Sequence, residues 1–217
     1  MEGRLLRERG RTPWRWIGLG LLAACAAAVL GPGVLSHSAG STPTLVACDR
    51  PEAVTILLDD SPSVIDLDRT DQRGGAVRRV LSSLAAEPCT GDDVVAVVSF
   101  ADDQVVTGPA PAADLAHLRR AGGRSTDIAA AARVADELTH ARADARQLIV
   151  LVSDLQEGSG TPIDATFERL LGITDDVIVV SIGEVDVGAG VSEIALRTGD
   201  DIAARIVERL NHDRRNR

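Results

Sequence analysis

Five residues with carboxylate or hydroxyl side chains occupy positions where they could hold a metal ion together. Three stand in the spacing Asp-x-Ser-x-Ser directly after an apolar run, one opens a predicted helix, and one follows a second apolar run. Carboxylate and hydroxyl oxygens are the ligands that hard divalent cations prefer. The pattern therefore predicts a site for a divalent cation, with Mg²⁺ favoured and Mn²⁺ or Ca²⁺ as alternatives. The residues are Asp59, Ser61, Ser63, Thr126 and Asp154.

The elements that must position these residues alternate between strands and helices. Short apolar runs are typical of strands buried on both faces, and the segments between them show helical spacing. This alternation predicts an α/β fold with a mostly parallel sheet flanked by helices, in which ligands bind at the carboxyl ends of the strands. The predicted strands are 53–58, 94–100, 148–153 and 177–182, with an edge strand at 104–107 and residues 192–198 ambiguous between a strand and a helical turn. The predicted helices are 75–86, 111–120, 127–143, 162–171 and 202–210.

Each candidate ligand also has an ordinary structural interpretation. Asp59 could cap the turn after a strand, and Thr126 could be the N-cap of a helix. Ser61 and Ser63 flank a proline, which is typical of turns. Taken singly, the residues favour these structural roles, whereas their joint placement at strand ends favours a metal site.

Three stretches of the sequence together resemble the metal-ion-dependent adhesion site (MIDAS) of von Willebrand factor A (vWA) domains. They are the Asp-x-Ser-x-Ser motif of residues 59–63, the Gly-Gly-Arg-Ser-Thr-Asp stretch of residues 122–127, and Asp154 after Leu-Ile-Val-Leu-Val-Ser. The resemblance covers roughly residues 52–183. Together with the N-terminus described below, it makes the sequence similar to membrane-anchored bacterial members of the family. It implies a Rossmann-like three-layer vWA fold with a mostly parallel central sheet.

The resemblance also implies a role for each candidate ligand. Ser61, Ser63 and Thr126 would bind the metal through their hydroxyls. Asp59 and Asp154 would act mostly through bound water or hydrogen bonds.

The sequence departs from the family pattern at two positions. Leu155 stands after Asp154, where the family usually has Gly, and this is the one feature that favours a degenerate metal site. Ser125 precedes Thr126 and could compete with it as the ligand.

The N-terminus predicts export and anchoring in a membrane. Residues 1–15 carry five Arg, and residues 16–35 are 20 residues without a charge. At about 1.5 Å per residue this run spans a hydrocarbon core, and its basic flank predicts a cytoplasmic N-terminus and an exported remainder. The alternatives are a lipoprotein, because Cys25 ends a lipobox-like sequence, and a cleaved signal peptide. Residues 36–47 are typical of a linker, so a vWA-like domain is predicted over residues 48–217.

Cys48 and Cys89 are the only two cysteines of the predicted exported part. An even count in an oxidising compartment predicts a disulfide, and two free buried thiols are the alternative. The two residues precede the first and second buried strands, which a vWA-like sheet would place side by side.

Composition and charge exclude several function classes. All 23 basic residues are Arg, which excludes chemistry that needs a lysine amine. Residues 1–40 carry five Arg and two Glu, a net charge of +3. Because the net charge of the whole chain is −9, the remaining residues carry a net charge of −12. A domain this acidic repels phosphate, so no nucleic-acid partner is expected. The four His have no Cys or second His nearby at ligand spacing, which argues against a zinc site.

These features favour a module that binds a partner protein and is not an enzyme. Neutral hydroxyl ligands leave much of the cation's charge unneutralised, and an open coordination position would attract a carboxylate from the partner. One alternative is a scaffold domain with a degenerate metal site. The other is a metal-dependent phosphohydrolase of the haloacid-dehalogenase kind, which requires Asp-x-Asp-x-Thr and a later Lys.

Overall fold

The computed structural model describes residues 50–182, 192–196 and 201–215. Strands and helices alternate along these residues, as the apolar runs predict. The strands are β1 (Glu52–Asp59), β2 (Val94–Phe100), β3 (Gln104–Ala110), β4 (Arg146–Ser153), β5 (Asp176–Ile182) and β6 (Ser192–Leu196). The α-helices are α1 (Pro62–Leu67), α2 (Gln72–Ala86), α3 (Ile128–His140), α4 (Ile163–Ile173) and α5 (Ile202–Arg215).

The strands form one sheet in the order β3-β2-β1-β4-β5-β6. All neighbours pair in parallel except β2 and β3, which are antiparallel at one edge. The central strands β1 and β4 run side by side, with Leu58 opposite Val152, so their carboxyl ends lie together. The observed sheet confirms the predicted mixed α/β class and its mostly parallel character.

Alternate residues of the central strands build a separate core on each face of the sheet. Ile56 of β1 packs in one cluster with Val80 of α2 and Ile206 of α5. Its neighbour Leu57 belongs to the opposite cluster with Phe167 of α4. This follows from the two-residue period of a strand, and it explains why the strands are nearly continuous apolar runs.

The predicted helix over residues 111–120 is wrong. Only Ala112–Asp114 form a short 3₁₀ turn, and the chain then runs on irregularly. Leu115 is buried against the core, and the backbone N–H of Arg119 donates to Oγ1 of Thr107 on β3 at 3.1 Å. These long-range contacts hold the segment along the sheet edge, and they outweigh a weak local helical pattern.

Three smaller differences concern the ends of elements. The helix α1 was not predicted, because its six residues are too few to show a periodic apolar stripe. Residues 192–196, which were ambiguous, form a strand parallel to β5. The helix α3 ends at His140, short of the predicted residue 143.

The predicted membrane anchor at residues 16–35 lies outside the described residues. Over the described ranges, no helix has the length and apolar character needed to cross a bilayer.

Cys89 lies in the loop between α2 and β2, at the amino-terminal edge of the sheet, where its backbone N–H donates to the Asp93 carboxylate. Cys48 is outside the described residues, so the disulfide stays a prediction. Closing the 41-residue loop between the two cysteines should stabilise the fold by roughly 3–4 kcal/mol. Mass spectrometry of peptides from the unreduced protein should find Cys48 linked to Cys89. Two alkylatable thiols in the natively folded protein would contradict the pairing.

Candidate metal centre

The five predicted ligands all lie at the carboxyl-terminal edge of the sheet. Asp59 is the last residue of β1, and Asp154 directly follows the adjacent parallel strand β4. Because Leu58 pairs with Val152, Asp59 comes opposite Ser153, whose hydroxyl donates to Asp59 Oδ2 at 2.5 Å. The strand register therefore brings the two carboxylates to neighbouring positions.

The Asp-x-Ser-x-Ser motif folds into a compact turn that leads into α1. The backbone N–H of Ser61 donates to Asp59 Oδ1 at 2.9 Å. Pro62 takes the first helical position, where its missing N–H costs nothing and its φ is already helical. This geometry brings the Ser61 and Ser63 hydroxyls within 3.1 Å of each other. Ser61 is buried and Ser63 half-buried, so the pair can present oxygens to a shared cation at the edge of the site.

Asp154 carries the clearest sign of a cation site. Its Oδ1 accepts the backbone N–H of Gln156 at 3.1 Å. Its Oδ2 is buried and accepts no hydrogen bond from the described residues. A buried carboxylate oxygen without a partner costs free energy, and native structures rarely tolerate one unless water or an ion completes it. The residues present therefore fit a cation at this position.

Thr126 is buried immediately before α3, but it is not the helix cap. Asp127 is the N-cap, and its carboxylate accepts the backbone N–H of Ala130 at 2.7 Å. The backbone carbonyl of Thr126 accepts the N–H of Gly158 at 2.8 Å, which joins it to the loop that follows Asp154. A Cβ at Gly158 would lie 2.9 Å from that carbonyl oxygen, so glycine permits the close approach of the two loops. The hydroxyl of Thr126 is thus left without the capping role.

The competing residue Ser125 is exposed and bonded to Asp102. The Asp102 carboxylate accepts the backbone N–H groups of Arg124 at 2.8 Å and Ser125 at 2.7 Å. These hydrogen bonds lower the pKa of Asp102 below its usual range. The bond from Arg124 has the largest effect, and the side chain of Ser125 contributes as well. The contacts favour Thr126 over Ser125 as the candidate ligand.

Burial raises the pKa of Asp59 to about 6. Desolvation is the main cause, and the nearby charge of Asp154 adds to it, against hydrogen bonds from Ser153 and Ser61 that lower the pKa. Two acidic groups forced together in a buried site resist double ionisation. A divalent cation between or beside them would remove that cost.

We expect Asp59 to make the metal-free protein less stable as the pH rises from about 4 to about 6. The folded-state pKa of about 6 lies above the ordinary 3.8, so the folded protein binds this proton more tightly than the unfolded chain does. Stability from this group is therefore greatest at low pH and is lost as the pH rises through 6, by on the order of 2–3 kcal/mol. Asp59→Asn should lack the decline when urea denaturation of both proteins is compared at pH 4 and pH 7 without added cation. An identical pH dependence for the two proteins would refute this assignment.

Leu155 adopts a left-handed backbone conformation with φ of 58°. That region favours glycine, which gives a physical reason why Gly is usual at this position in the family that the motifs resemble. The side chain of Leu155 is buried in the core cluster that includes Ile128 and Phe167, and this burial offsets the backbone strain. Its backbone N–H donates to Ser153 Oγ at 2.9 Å, so the turn that holds Asp154 forms without the glycine.

Sequence reasoning missed a buried ion network beneath the motif. The side chain of Arg73 is only 3% exposed, and its guanidinium donates to the Asp59 backbone carbonyl at 3.0 Å, to Asp60 Oδ1 at 3.1 Å and to Asp68 Oδ2 at 3.0 Å. Asp60 also pairs with Arg120. No periodicity or motif marked these residues. An Arg near the start of a helix is usually solvated, so its burial is not expected from the sequence.

The candidate centre depends on hydroxyl oxygens as much as on carboxylates. Within the part of the chain that the structure describes, no group of three or more His, Cys, Asp or Glu side chains is arranged to hold a metal ion. Two carboxylates and three hydroxyls, at the carboxyl ends of β1 and β4 and in the loop before α3, are the available ligand set.

Comparison with known proteins supports the fold. No family model and no curated protein sequence matches the chain, whereas solved structures do. Proximal thread matrix protein 1 (PTMP1) from the mussel byssus matches with a TM-score of 0.57 and 15% identity, covering 76% of this chain and 47% of that one. A von Willebrand factor type A structure from Catenulispora acidiphila matches with a TM-score of 0.53 and 18% identity, covering 78% of this chain and 47% of that one.

A third match is an aerotolerance-related membrane protein from Bacteroides fragilis, with a TM-score of 0.53 and 17% identity, covering 76% of this chain and all of that one. A further crystal structure of PTMP1 has a zinc-occupied MIDAS motif, and it matches with a TM-score of 0.50 and 18% identity, covering 68% of this chain and 40% of that one. This chain thus spans less than half the length of the PTMP1 and Catenulispora chains. The similarities show that the chain has the vWA fold.

Proposed function

We propose that this protein is a membrane-anchored, extracytoplasmic vWA module that binds a partner protein through a divalent cation. The cation is held by a MIDAS-type site made of Asp59, Ser61, Ser63, Thr126 and Asp154. The single observation that carries the proposal is the buried, unpartnered Oδ2 of Asp154, at the same sheet edge as the paired serine hydroxyls. The zinc-occupied MIDAS of PTMP1 supports a divalent cation on this fold, and Mg²⁺ is the cation that we favour here.

The ligand set explains why the site would bind rather than catalyse. Hydroxyl ligands carry no charge, and the two carboxylates would act mostly through bound water or hydrogen bonds, so much of the cation's charge would stay unneutralised. An open coordination position would then take a carboxylate oxygen from a partner, and the bond itself supplies the attraction. Nothing in this set requires a nucleophile or a general base, and we therefore propose that the protein is not an enzyme.

The surface beside the motif is suited to a protein partner. Ile65 is 47% exposed and Leu67 is 60% exposed, and both lie on α1, the helix that begins at the serine motif. Exposed large apolar side chains are a common feature of protein-binding surfaces. A partner that brings an acidic residue to the cation would also cover these side chains.

Membrane attachment completes the proposal. The uncharged run of residues 16–35 and its Arg-rich flank support a single-pass anchor with a cytoplasmic N-terminus. A lipid anchor at Cys25 or a cleaved signal would place the domain on the same side of the membrane. The haloacid-dehalogenase alternative is not favoured, because the fold matches vWA domains and the chain has no Lys.

Calorimetric titration tests the metal site directly. The full chain in detergent should bind Mg²⁺, Mn²⁺ or Ca²⁺, and the bound cation should raise the melting temperature because it binds only the folded state. If none of the three cations gives heat or shifts the melting curve, the metal site is not functional and the scaffold alternative is correct.

Partner binding is tested by its dependence on the cation. A partner isolated with the wild-type chain in Mg²⁺ should dissociate in chelator, and Thr126→Ala should weaken the complex while leaving the melting temperature in chelator unchanged. Binding that survives both changes would place the contacts on another face and would support the scaffold alternative.

A further inference from the structure

Arg120 links the segment that carries Thr126 to the loop that carries Asp59 and Ser61. Its Nε donates to Asp60 Oδ2 at 2.6 Å, and its Nη2 donates to Asp60 Oδ1, so the guanidinium grips the carboxylate with two parallel bonds. The remaining arm, Nη1, lies 3.2 Å from Asp71 Oδ1. Bidentate pairs of this kind fix orientation as well as distance.

The helix α2 is shaped to admit this side chain. A Cβ at Gly74 would lie 2.7 Å from Arg120 Nη1 and 2.4 Å from Asp71 Oδ2, closer than atoms can approach. A glycine in a helix is less favourable than an alanine. The next residue, Gly75, has open space around it, with Arg78 Nη2 as the nearest atom at 4.0 Å. The glycine at position 74 therefore leaves room for the side chains of Arg120 and Asp71 in their present positions, and a Cβ there would make these side-chain ends shift.

A second contact ties the same segment to the same carboxylate. Ser99 at the end of β2 accepts the backbone N–H of Ala121 at 2.6 Å and donates its own hydroxyl to Asp60 Oδ2. Asp60 lies between Asp59 and Ser61 in the chain, and both oxygens of its carboxylate are hydrogen-bonded within this network. Residues 120 and 121, which lie six and five residues before Thr126, are thus held to the motif loop.

We propose that Arg120 is a positioning residue that clamps the Thr126 segment to the Asp59–Ser63 loop and preorganises the two halves of the metal site. The inference rests on the proposed function of the site. The segment from residue 115 to residue 127 has no helix or strand of its own, so contacts with other elements hold it in place. Asp102 and the backbone groups of Ala101 and Gly158 hold residues 124–127, whereas Arg120 and Ser99 hold residues 120 and 121. Without the clamp, cation binding would have to fix the part of the segment before residue 124, and part of the binding free energy would be lost in doing so.

Charge alone predicts the opposite effect, which makes the role testable. Arg120 brings a positive charge near a site for a divalent cation, and its side chain is 31% exposed. By Coulomb's law, its removal should strengthen cation binding. A positioning role predicts weaker binding in spite of the lost repulsion.

The experiment measures Mn²⁺ affinity by calorimetry for the full chain in detergent and for four variants. Arg120→Gln should bind Mn²⁺ about 10-fold more weakly than the wild type, the size of effect seen when groups that orient metal ligands are removed. Arg119→Gln makes the same change of charge at the neighbouring exposed residue, and it should bind as tightly as the wild type or more tightly. Gly74→Ala should displace the Arg120–Asp71 arm and weaken binding in the same direction, whereas Gly75→Ala should not.

Amide hydrogen exchange in chelator provides a readout that does not involve the metal. Arg120→Gln should speed exchange at residues 121–127 and leave the central strands unchanged. If the wild type binds Mn²⁺ and Arg120→Gln binds it equally or more tightly, the clamp is refuted and the proposed function stands. If the wild type binds no cation, the proposed function fails and the clamp has no site to organise.

Discussion

Asp154→Asn should weaken Mg²⁺ or Mn²⁺ binding by about 10–100-fold while making the metal-free protein more stable. The carboxylate has a buried oxygen without a hydrogen-bond partner among the described residues, and its charge adds to the main effect of burial in raising the pKa of Asp59. Removing that charge relieves an unfavourable interaction in the metal-free site, worth on the order of 1 kcal/mol. The same charge is needed to hold a cation, so the two effects have opposite signs.

The two effects are measured by urea denaturation in chelator and in cation. A cation at 100 times its dissociation constant stabilises the folded state by about 2.7 kcal/mol, and a 100-fold weaker variant gains only about 0.4 kcal/mol. Asp103→Asn is the matched control, because Asp103 is exposed at the same edge of the sheet and undergoes the same change of charge. An Asp154→Asn protein that keeps the full gain in cation would show that this carboxylate is not part of the metal site.

Arg73→Leu should lower the free energy of unfolding by about 3–5 kcal/mol, which is a large part of the stability of an ordinary domain. The guanidinium is buried and neutralises Asp60 and Asp68, and it also holds the backbone carbonyl of Asp59. Removing it leaves buried carboxylates short of partners. The loss of a partner costs a buried charge far more stability than it costs a charge on the surface. Arg73→Lys should recover part of the loss, because it restores the charge but not the fork of donors.

The control for this prediction lies on the same helix. Arg79 pairs with Asp201 at 3.0 Å, but both side chains are about half exposed. Arg79→Leu should therefore cost no more than about 1 kcal/mol. If Arg73→Leu and Arg79→Leu have similar midpoints in urea, the buried network does not stabilise the motif loop.

The features that the sequence determined by itself are local ones. Apolar runs of six or seven residues marked the strands, because a strand covered by helices on both faces must be apolar at nearly every position. Once the strands were recognised, the carboxyl-end rule placed Asp59 and Asp154 at one edge of the sheet, and the spacing of Ser61 and Ser63 followed from the turn. Nothing beyond the order of residues along the chain was needed for these predictions.

Tertiary structure alone decided how the motif is supported. Asp60 and Arg120 are 60 residues apart, and no motif or periodicity marks Arg73 as a buried residue. Residues 111–120 carried a helical pattern, yet contacts of Leu115 and Arg120 with distant elements hold them as an irregular segment. The reason is physical: whether a charge is buried and paired, and whether a short segment keeps its local preference, depends on which distant groups the fold brings against it.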